Sequence, residues 1–383
     1  MLKTSYASTF EVDEPSEAVQ DILDQIDFDA LLENSVGILG CSLDYVTNST
    51  IELLCEKLPF DVIGATTYCS AVSDDFGEDL LSLLILTSDD VYFACSSTSS
   101  HGNDTDSYAK EAFEMAAAQL PGEPVFGIVM FPYIESLSSD KQIASLDRAS
   151  NKLPLFGSVA VDFTDVVRTP QTIYNGQSFP ESCVLLLVSG NISPRFFFTA
   201  MPEGCFFKQN AIITSSEGNI LKEINEMRAA DYLAFLGLAK DGVFQPAPSI
   251  MLSIYTGDGG SSLARAIFDI TPEGYVVCGG DMPENAVLGV GSIGKDDVFS
   301  SAEDLAHKIL EEGAPNGALL FSCLSRSITL GSQPMGEIEV FQSVFKEKVP
   351  YLLMYSGGEM FPEITEEATF NKAHNASIIV CVF

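Results

Sequence analysis

The sequence has few cationic residues for its length. Its 383 residues include 19 Lys and Arg against 54 Asp and Glu, which gives a formal net charge of −35. Because binding to phosphate groups requires clustered cations, this balance argues against nucleic acids and anionic membrane surfaces as partners. Solubility, or a host with an acidic proteome, explains the charge without a basic partner protein.

Long apolar runs, a targeting segment and paired cysteine motifs are also missing. No run of about 18 apolar residues predicts a transmembrane helix, and the residues after Met1 lack the apolar core of a signal peptide. The nine cysteines are scattered, odd in number and include no Cys-x-x-Cys pair. This pattern predicts free thiols in a reducing compartment and argues against a disulfide framework or a zinc site. We therefore expect a cytoplasmic protein.

The residues that are present favour a large folded core. Hydrophobic residues make up 46% of the chain, and the length suits two domains or one large composite domain. The order of apolar runs and amphipathic segments predicts an α/β (mixed α+β) fold, with mixed sheets flanked by helices. A strand–helix–strand–strand unit recurs at residues 36–95, at residues 125–200 and, in shortened form, at residues 317–383.

Turn residues and a change of pattern divide the chain further. Each of the first two units is predicted to end in a β-hairpin, formed by residues 80–86 with 91–95 and by residues 183–188 with 194–200. A stretch of different character, with its own hairpin, helices and strands, separates the second unit from the third. We predict two domains, at residues 1–202 and 203–383.

Polar residues at its strand ends distinguish the third unit from the other two. Apolar runs at residues 317–321 and 351–355 lead towards Arg326 and Glu359, and His374 precedes the last apolar run. Strand ends that carry such residues are where an α/β protein usually keeps its site. The functional site is therefore expected within this unit.

The motifs of this segment resemble those of a known family. Residues 322–326, Ser-Cys-Leu-Ser-Arg, resemble its Cys-x-Gly-Arg segment, with Ser325 in place of the usual Gly. Residues 358–362 resemble its Gly-Glu-x-x-Pro motif, and residues 374–377 its His-Asn-x-Thr/Ser motif. Residues 264–267 resemble its arginine-bearing strand. The family is that of the FIST (F-box and intracellular signal transduction) sensory domains. Residues 203–383 resemble the C-terminal module of these domains well, and the first half of the chain resembles their N-terminal module in its strand pattern.

The resemblance implies an intracellular sensory protein that binds a small-molecule ligand, with an amino acid or a small organic acid as the expected class. No F-box, kinase or cyclase segment is evident in the sequence, so we expect a stand-alone sensor or binding protein. The resemblance also implies a possible downstream signalling protein as partner. Some members of the family bind haem and report nitric oxide. A haem-based gas sensor is therefore an alternative, whereas no metal site and no other cofactor are expected.

Arg326 and Glu359 are candidates for holding the two ends of an amino acid. A guanidinium can hold a carboxylate through two hydrogen bonds, and a carboxylate can accept an amine. The alternative for Arg326 is an ion pair with a structural acid, for example Glu359 itself. The alternative for Glu359 is a turn in which it caps a neighbouring helix. Both alternatives stay open at this point.

His374, Asn375, Arg265 and Cys323 complete the candidate ligand-binding set. His374 could contact the ligand, ligate haem or make a structural hydrogen bond, and Asn375 could tether a loop through its amide. Cys323 could also be a nucleophile activated by His374, which would make the protein a Cys-dependent hydrolase. The last alternative is a protein-interaction module that pairs through a strand edge such as residues 91–95. No residue is assigned a catalytic role.

Overall fold

The computed structural model describes residues 2–98, 104–134, 137–162, 169–240, 243–244, 249–255, 262–365 and 368–383. Helices and strands are intermixed along the chain and form mixed sheets, which confirms the predicted α/β (mixed α+β) class. Three units of similar topology follow one another, and a separate sheet is inserted into the third.

The first two units contain the same succession of strands. The first unit consists of β1 (Lys3–Thr9), α1 (Pro15–Asp24), β2 (Asn34–Cys41), α2 (Leu43–Thr47), α3 (Thr50–Lys57), β3 (Asp61–Thr66), β4 (Ser70–Val72), β5 (Phe76–Gly77) and β6 (Leu81–Ser88). The second consists of β7 (Val91–Ser97), α4 (Thr105–Ala117), β8 (Pro124–Phe131), α5 (Ser139–Ser150), β9 (Leu155–Val159), β10 (Thr172–Tyr174), β11 (Gln177–Phe179) and β12 (Val184–Gly190).

The third unit is interrupted after its first strand. That strand is β13 (Arg195–Thr199), and the inserted elements are β14 (Phe206–Glu217), β15 (Ile220–Ile224), β16 (Met227–Arg228), α6 (Ala229–Phe235), β17 (Ala239–Lys240), β18 (Val243–Phe244), β19 (Ile250–Tyr255), β20 (Leu263–Ile270), β21 (Val276–Cys278) and β22 (Val287–Ser292). The unit resumes with α7 (Lys295–Glu311), β23 (Ala318–Cys323), α8 (Leu324–Leu330), α9 (Gly336–Phe345), β24 (Tyr351–Ser356), β25 (Glu359–Ile364), β26 (Thr369–His374) and β27 (Ile378–Val382).

Each unit forms the centre of a mixed sheet. A parallel pair lies in the middle, namely β2–β3, β8–β9 or β23–β24, and its neighbours run antiparallel. Within the described residues the strand orders are β1-β6-β2-β3-β10-β11, β7-β12-β8-β9-β25-β26 and β13-β27-β23-β24-β4-β5. The predicted strand–helix–strand succession is therefore the centre of each unit of the fold, and one or two helices connect the two parallel strands.

The hairpin of each unit completes the sheet of another. The hairpin β4–β5 pairs with β24, β10–β11 pairs with β3, and β25–β26 pairs with β9. No unit's sheet is complete without strands that another unit donates. Two of these exchanges cross the predicted boundary between residues 202 and 203, which itself stays a prediction.

The two hairpins predicted at the ends of the first and second units are wrong. β6 pairs with β1 and β2, whereas β7 pairs with β12 in a different sheet. β12 likewise pairs with β7 and β8, whereas β13 pairs with β27. The turns after β6 and β12 pass the chain from one sheet to the next. A turn signal predicts that the chain reverses, but not which strand its next segment will join.

The inserted segment forms a sheet of its own. Its strand order is β14-β22-β19-β20-β21-β15-β16 within the described residues. The predicted hairpin near residues 211–220 is confirmed, since β14 and β15 are antiparallel and Gly218-Asn219 form the turn. The strands β19 and β20 of this sheet pair antiparallel. Arg265 therefore lies on the inserted sheet.

Apolar side chains from all three units share one core. Ile38 of the first unit, Ile128 of the second and Phe321 of the third are fully buried in a single cluster. Burying a side chain of this size stabilises a protein by about 1.5–3 kcal/mol. The described helices include none whose length and apolar character would allow it to cross a bilayer.

Candidate functional site

A cavity of about 430 Å³ lies between the second unit, the third unit and the inserted sheet. It adjoins the carboxyl ends of the parallel strands β9, β23 and β24, where an α/β sheet commonly binds its ligand. Its lining residues are Tyr133, Ala160, Val161, Asp162, Pro170, Ile250, Met251, Ala266, Ile267, Phe268, Cys323, Leu324, Ser325, Ile328, Ser356 and Gly357.

The wall of the cavity is mostly apolar. β19 and β20 supply one side of it, through residues such as Met251 and Ile267, and Ile328 of α8 supplies another. Tyr133 and Phe268 meet at the rim with their ring centroids 6.2 Å apart, and their side chains are partly exposed. Such a surface buries the apolar part of a small molecule.

Polar groups collect where β23 and β24 end. The Ser325 hydroxyl donates to the Cys323 sulfur at 3.1 Å, and both residues line the cavity. Ser356 also lines it, and its hydroxyl donates to Oε1 of Glu359. Ser377 donates to the other oxygen, Oε2, at 2.6 Å. The Glu359 carboxyl therefore lies one hydroxyl group away from the cavity, behind Ser356.

Burial changes the acidity of Glu359. Its side chain is buried, and the loss of hydration raises its pKa from 4.5 to about 8, although the two serine hydroxyls oppose the shift. A carboxyl with a pKa in this range exchanges its proton near neutral pH. It can therefore donate or accept a hydrogen bond through Ser356 according to what the cavity contains.

The other two units use hydroxyl groups where the third unit has this carboxyl. In the first unit Ser70 of β4 meets Ser82 through their hydroxyls at 2.8 Å, and in the second Thr172 of β10 donates to the carbonyl oxygen of Ser182 at 2.6 Å. Glu359 begins the corresponding hairpin of the third unit. Glu359 is thus a buried acid at a position where the other units use small hydroxyl groups, and this difference makes it a candidate functional residue.

Arg326 lies behind the cavity and is paired with a different acid. Its Nε donates to Oε1 of Glu337 at 2.8 Å, and its Nη2 reaches the hydroxyl of Ser301 at 3.0 Å. Ser322 donates to the second oxygen of Glu337. Arg326 and Glu337 are both fully buried. The structure thus places Arg326 in an ion pair with Glu337 of α9 and does not bring it to the cavity wall described above.

Arg265 and Asn375 join the inserted sheet to the third unit. Nη2 of Arg265 donates to both carboxylate oxygens of Asp140, at 3.2 Å to Oδ1 and 3.1 Å to Oδ2. Its Nη1 donates to the carbonyl oxygen of Ala373 at 2.9 Å. The Asn375 side chain accepts a hydrogen bond from the backbone N–H of Ala266 at 3.1 Å. Their amide and guanidinium groups connect β20, α5 and the end of β26.

His374 is enclosed by aromatic rings. Its imidazole lies 4.5 Å from the ring of Phe198 and 6.4 Å from that of Phe361, measured between centroids. Burial and the nearby cations Arg265 and Lys372 lower its pKa to about 3. Nε2 is buried and has no partner within the described part of the chain, but the ring does not line the cavity. These surroundings do not fit a haem bound axially at His374.

Cys323 faces the cavity in its protonated form. Burial raises the pKa of its thiol to about 12, and the nearby Glu359 carboxyl adds to the shift. A nucleophilic cysteine requires the opposite shift, since the thiolate is the reactive species. The Ser325 hydroxyl is a polar neighbour of the sulfur, while the ring of His374 packs on aromatic side chains.

Two residues of this site, Ser356 and Glu337, were not among the candidates from sequence. Ser356 stands directly before Gly357 at the end of an apolar run, a position that the strand-end argument could have included. Glu337 lies in the first turn of α9 and reaches Arg326 only through tertiary packing. No spacing in the sequence signals that contact.

Two family models match the chain. The model of the FIST N domain matches residues 35–227, and that of the FIST C domain matches residues 220–362. No curated protein sequence matches. A crystal structure of cyanuric acid hydrolase from A. caulinodans is similar over 100% of this chain and 99% of its own, at 8% sequence identity and a TM-score of 0.38, which is too weak a likeness to carry an argument.

Proposed function

The chain belongs to the FIST family, and from this membership together with the cavity we propose that it is a sensory protein that binds a small amphipathic ligand. The observation that carries the proposal is the 430 Å³ cavity, with an apolar wall and one polar corner. Its volume falls within the range of about 300–1,000 Å³ that is typical of small-molecule sites. The two matched domains both contribute to its lining, so ligand binding would bridge them.

The lining favours a ligand with an apolar body and a hydrogen-bonding end. Cys323, Ser325 and Ser356 offer hydroxyl and thiol groups, and the acid Asp162 also lines the cavity. Among the described lining residues no Lys or Arg is present to hold a carboxylate. An uncharged derivative of an apolar amino acid, such as one in which an amide replaces the carboxylate, therefore suits the cavity better than a free amino acid or a small organic acid.

The proposal gives the candidate residues different roles. Cys323 contacts the ligand directly, and Glu359 acts on it through the Ser356 hydroxyl. Arg326 positions the end of β23 through its ion pair with Glu337. The remaining candidates, Arg265, His374 and Asn375, position the hairpin β25–β26 and β20 around the site.

Fluorescence and thermal unfolding test the proposal together. The natural chain contains no Trp, so Phe268→Trp places a single fluorophore at the rim of the cavity. A panel of apolar amino acids, their amides and small organic acids is titrated against this variant and against the wild type. A ligand at about 100 times its Kd should raise the free energy of unfolding by about 2.7 kcal/mol.

A cavity-filling variant provides the matched comparison. Ile328→Trp enlarges a side chain in the cavity wall, whereas Ile364→Trp makes the same change at an exposed position of β25. We expect the ligand to stabilise the wild type and Ile364→Trp, but not Ile328→Trp. Equal stabilisation of both variants, or no response to the panel by the wild type, would refute the proposed function.

The proposal also covers the cellular location of the protein and the partner to which it signals. We place the protein in the cytoplasm, where its nine unpaired cysteines would stay reduced, and expect ligand binding to be reported to a downstream signalling protein. Subcellular fractionation tests the location. Cross-linking with and without the stabilising ligand tests the output, because a partner that depends on the ligand should change its yield.

A further inference from the structure

A second, much smaller pocket adjoins the cavity. It holds about 20 Å³, and Tyr133, Gly357 and Phe268 line both spaces. We call it the Gln142 pocket, after the glutamine of α5 that lines it together with Ser138 and Asn219. A volume of this size accommodates one group as large as a water molecule.

Gln142, which lines this pocket, carries an unused hydrogen-bond acceptor. Its side chain is 2% exposed, and its Oε1 atom accepts no hydrogen bond within the described part of the chain. Leaving a buried amide oxygen without a donor is costly, because the oxygen has lost its hydration and gained nothing in return. A donor that enters the pocket removes this cost.

The donor that suits the pocket is uncharged. Its polar lining consists of serine hydroxyls and side-chain amides, and no Asp or Glu is among its described lining residues. An ammonium group placed there would lose hydration without a counter-charge. A primary carboxamide presents N–H groups of the right size and carries no charge.

We infer that the Gln142 pocket is a subsite for a neutral N–H donor of the ligand, such as a primary carboxamide, while the apolar body of that ligand lies in the main cavity. The inference rests on the proposed function. Tyr133 and Phe268 stand at the boundary between the two spaces, so their rings pack beside the bond that connects the two parts of the ligand.

Two ligands of the same shape, of which only one carries N–H groups, test the inference. The probes are 4-methylpentanamide and the ketone 5-methylhexan-2-one, in which a methyl group replaces the amino group, titrated against the single-Trp variant Phe268→Trp. We expect the primary amide to bind about tenfold more tightly, a difference of about 1.4 kcal/mol. Equal affinities would overturn the inference and indicate that a water molecule alone satisfies Gln142.

A substitution at Gln142 in the Phe268→Trp variant tests whether this residue causes the preference for the primary amide. Gln142→Leu removes the acceptor, and Gln20→Leu makes the same change at an exposed position of α1. The preference should disappear in Gln142→Leu and persist in Gln20→Leu; a preference that survives Gln142→Leu overturns the assignment. The comparison of the amide with the ketone of the same shape needs no substitution at Gln142, so it decides the matter even if that variant does not fold.

The outcomes separate this inference from the proposed function. If members of the ligand panel bind but the amide and the ketone bind equally, only the subsite fails. If nothing in the panel binds, the proposed function fails and the subsite fails with it.

Discussion

The Ser377 hydroxyl donates a hydrogen bond of 2.6 Å to Oε2 of Glu359, in the position where the other two units join Ser70 to Ser82 and Thr172 to Ser182. Each of the three contacts ties the first residue of an exchanged hairpin to a residue in, or just before, the last strand of its own unit. Only the third uses a carboxyl, and only that carboxyl is one hydroxyl group away from the cavity through Ser356. The fold thus repeats a structural contact and modifies one copy of it at the candidate site.

The first prediction concerns the pH dependence of stability. Because the pKa of Glu359 is raised from 4.5 to about 8 on folding, the folded protein holds this proton more tightly than the unfolded chain does. Its contribution to stability is complete below pH 4.5 and is lost as the pH rises to about 8. The free energy of unfolding should therefore fall by about 1.4 kcal/mol per pH unit in this window through Glu359 alone.

The variant Glu359→Gln isolates that contribution. Its amide does not titrate, so the stability of the variant relative to the wild type should rise with that slope between pH 5 and pH 8 and level off above. Urea denaturation at a series of pH values measures the difference, with the exposed Glu303→Gln as control. A difference that does not change with pH would contradict the raised pKa.

The second prediction concerns the buried ion pair of Arg326 and Glu337. Arg326→Met should destabilise the protein by about 3–5 kcal/mol, because the charge of Glu337 is left buried without its partner. The double variant with Glu337→Met should recover most of that loss. Arg148→Met, which breaks an exposed ion pair with Asp106, should cost less than about 1 kcal/mol. Chemical denaturation of the four proteins distinguishes these values.

If Arg326→Met lowered the free energy of unfolding only slightly, the ion pair would be solvated in solution and the guanidinium of Arg326 would be available to a ligand. The same variants therefore bear on the role predicted for Arg326 from sequence. If the residue only positions β23, ligand affinity should recover together with stability in the double variant. If it holds the ligand, affinity should stay low.

The third prediction concerns the close approach of Gly279 to Asn375. A Cβ atom on Gly279 would lie 2.3 Å from Oδ1 of Asn375, which accepts the backbone N–H of Ala266. Gly279→Ala should therefore destabilise the wild type by about 1–3 kcal/mol. In an Asn375→Ala background it should cost less, since the shortened side chain leaves room.

The coupling free energy from this double-mutant cycle should be at least about 0.5 kcal/mol. Gly122→Ala is the matched control, because nothing lies within 4 Å of the position that its Cβ would occupy. Additive effects of the two substitutions would show that Asn375 does not tether β20 as described.

The sequence predicted the repeated unit because its strands are strong apolar runs. Residues 317–321 and 351–355 became β23 and β24, and the polar residues after them lie beside the cavity. The exchange of hairpins was not predictable, since β5 has only two residues and carries no periodicity that could identify its partner. The contact between Arg326 and Glu337 was missed for a related reason. It depends on how α8 and α9 pack, and side-chain type alone does not specify that geometry.

The fourth prediction concerns the reactivity of Cys323. Burial raises the pKa of its thiol to about 12, so very little thiolate is present at pH 8 and alkylation should be slow. Iodoacetamide should label the partly exposed Cys205 at least about tenfold faster, as measured by mass spectrometry of peptides. Cys183, fully buried in the second unit, serves as the control for labelling that requires unfolding.

The relative rates of Cys323 and Cys183 decide between two interpretations of the thiol. If both are labelled at one rate, each reports a shared opening of the structure and Cys323 is an ordinary buried thiol at the cavity wall. If Cys323 is labelled much faster than Cys183, the cavity admits the reagent. A labelling rate that then no longer rises with pH above pH 8 would show that the surroundings stabilise the thiolate. That second result would favour a Cys-dependent hydrolase, and Cys323→Ser would then be expected to abolish activity while preserving the fold.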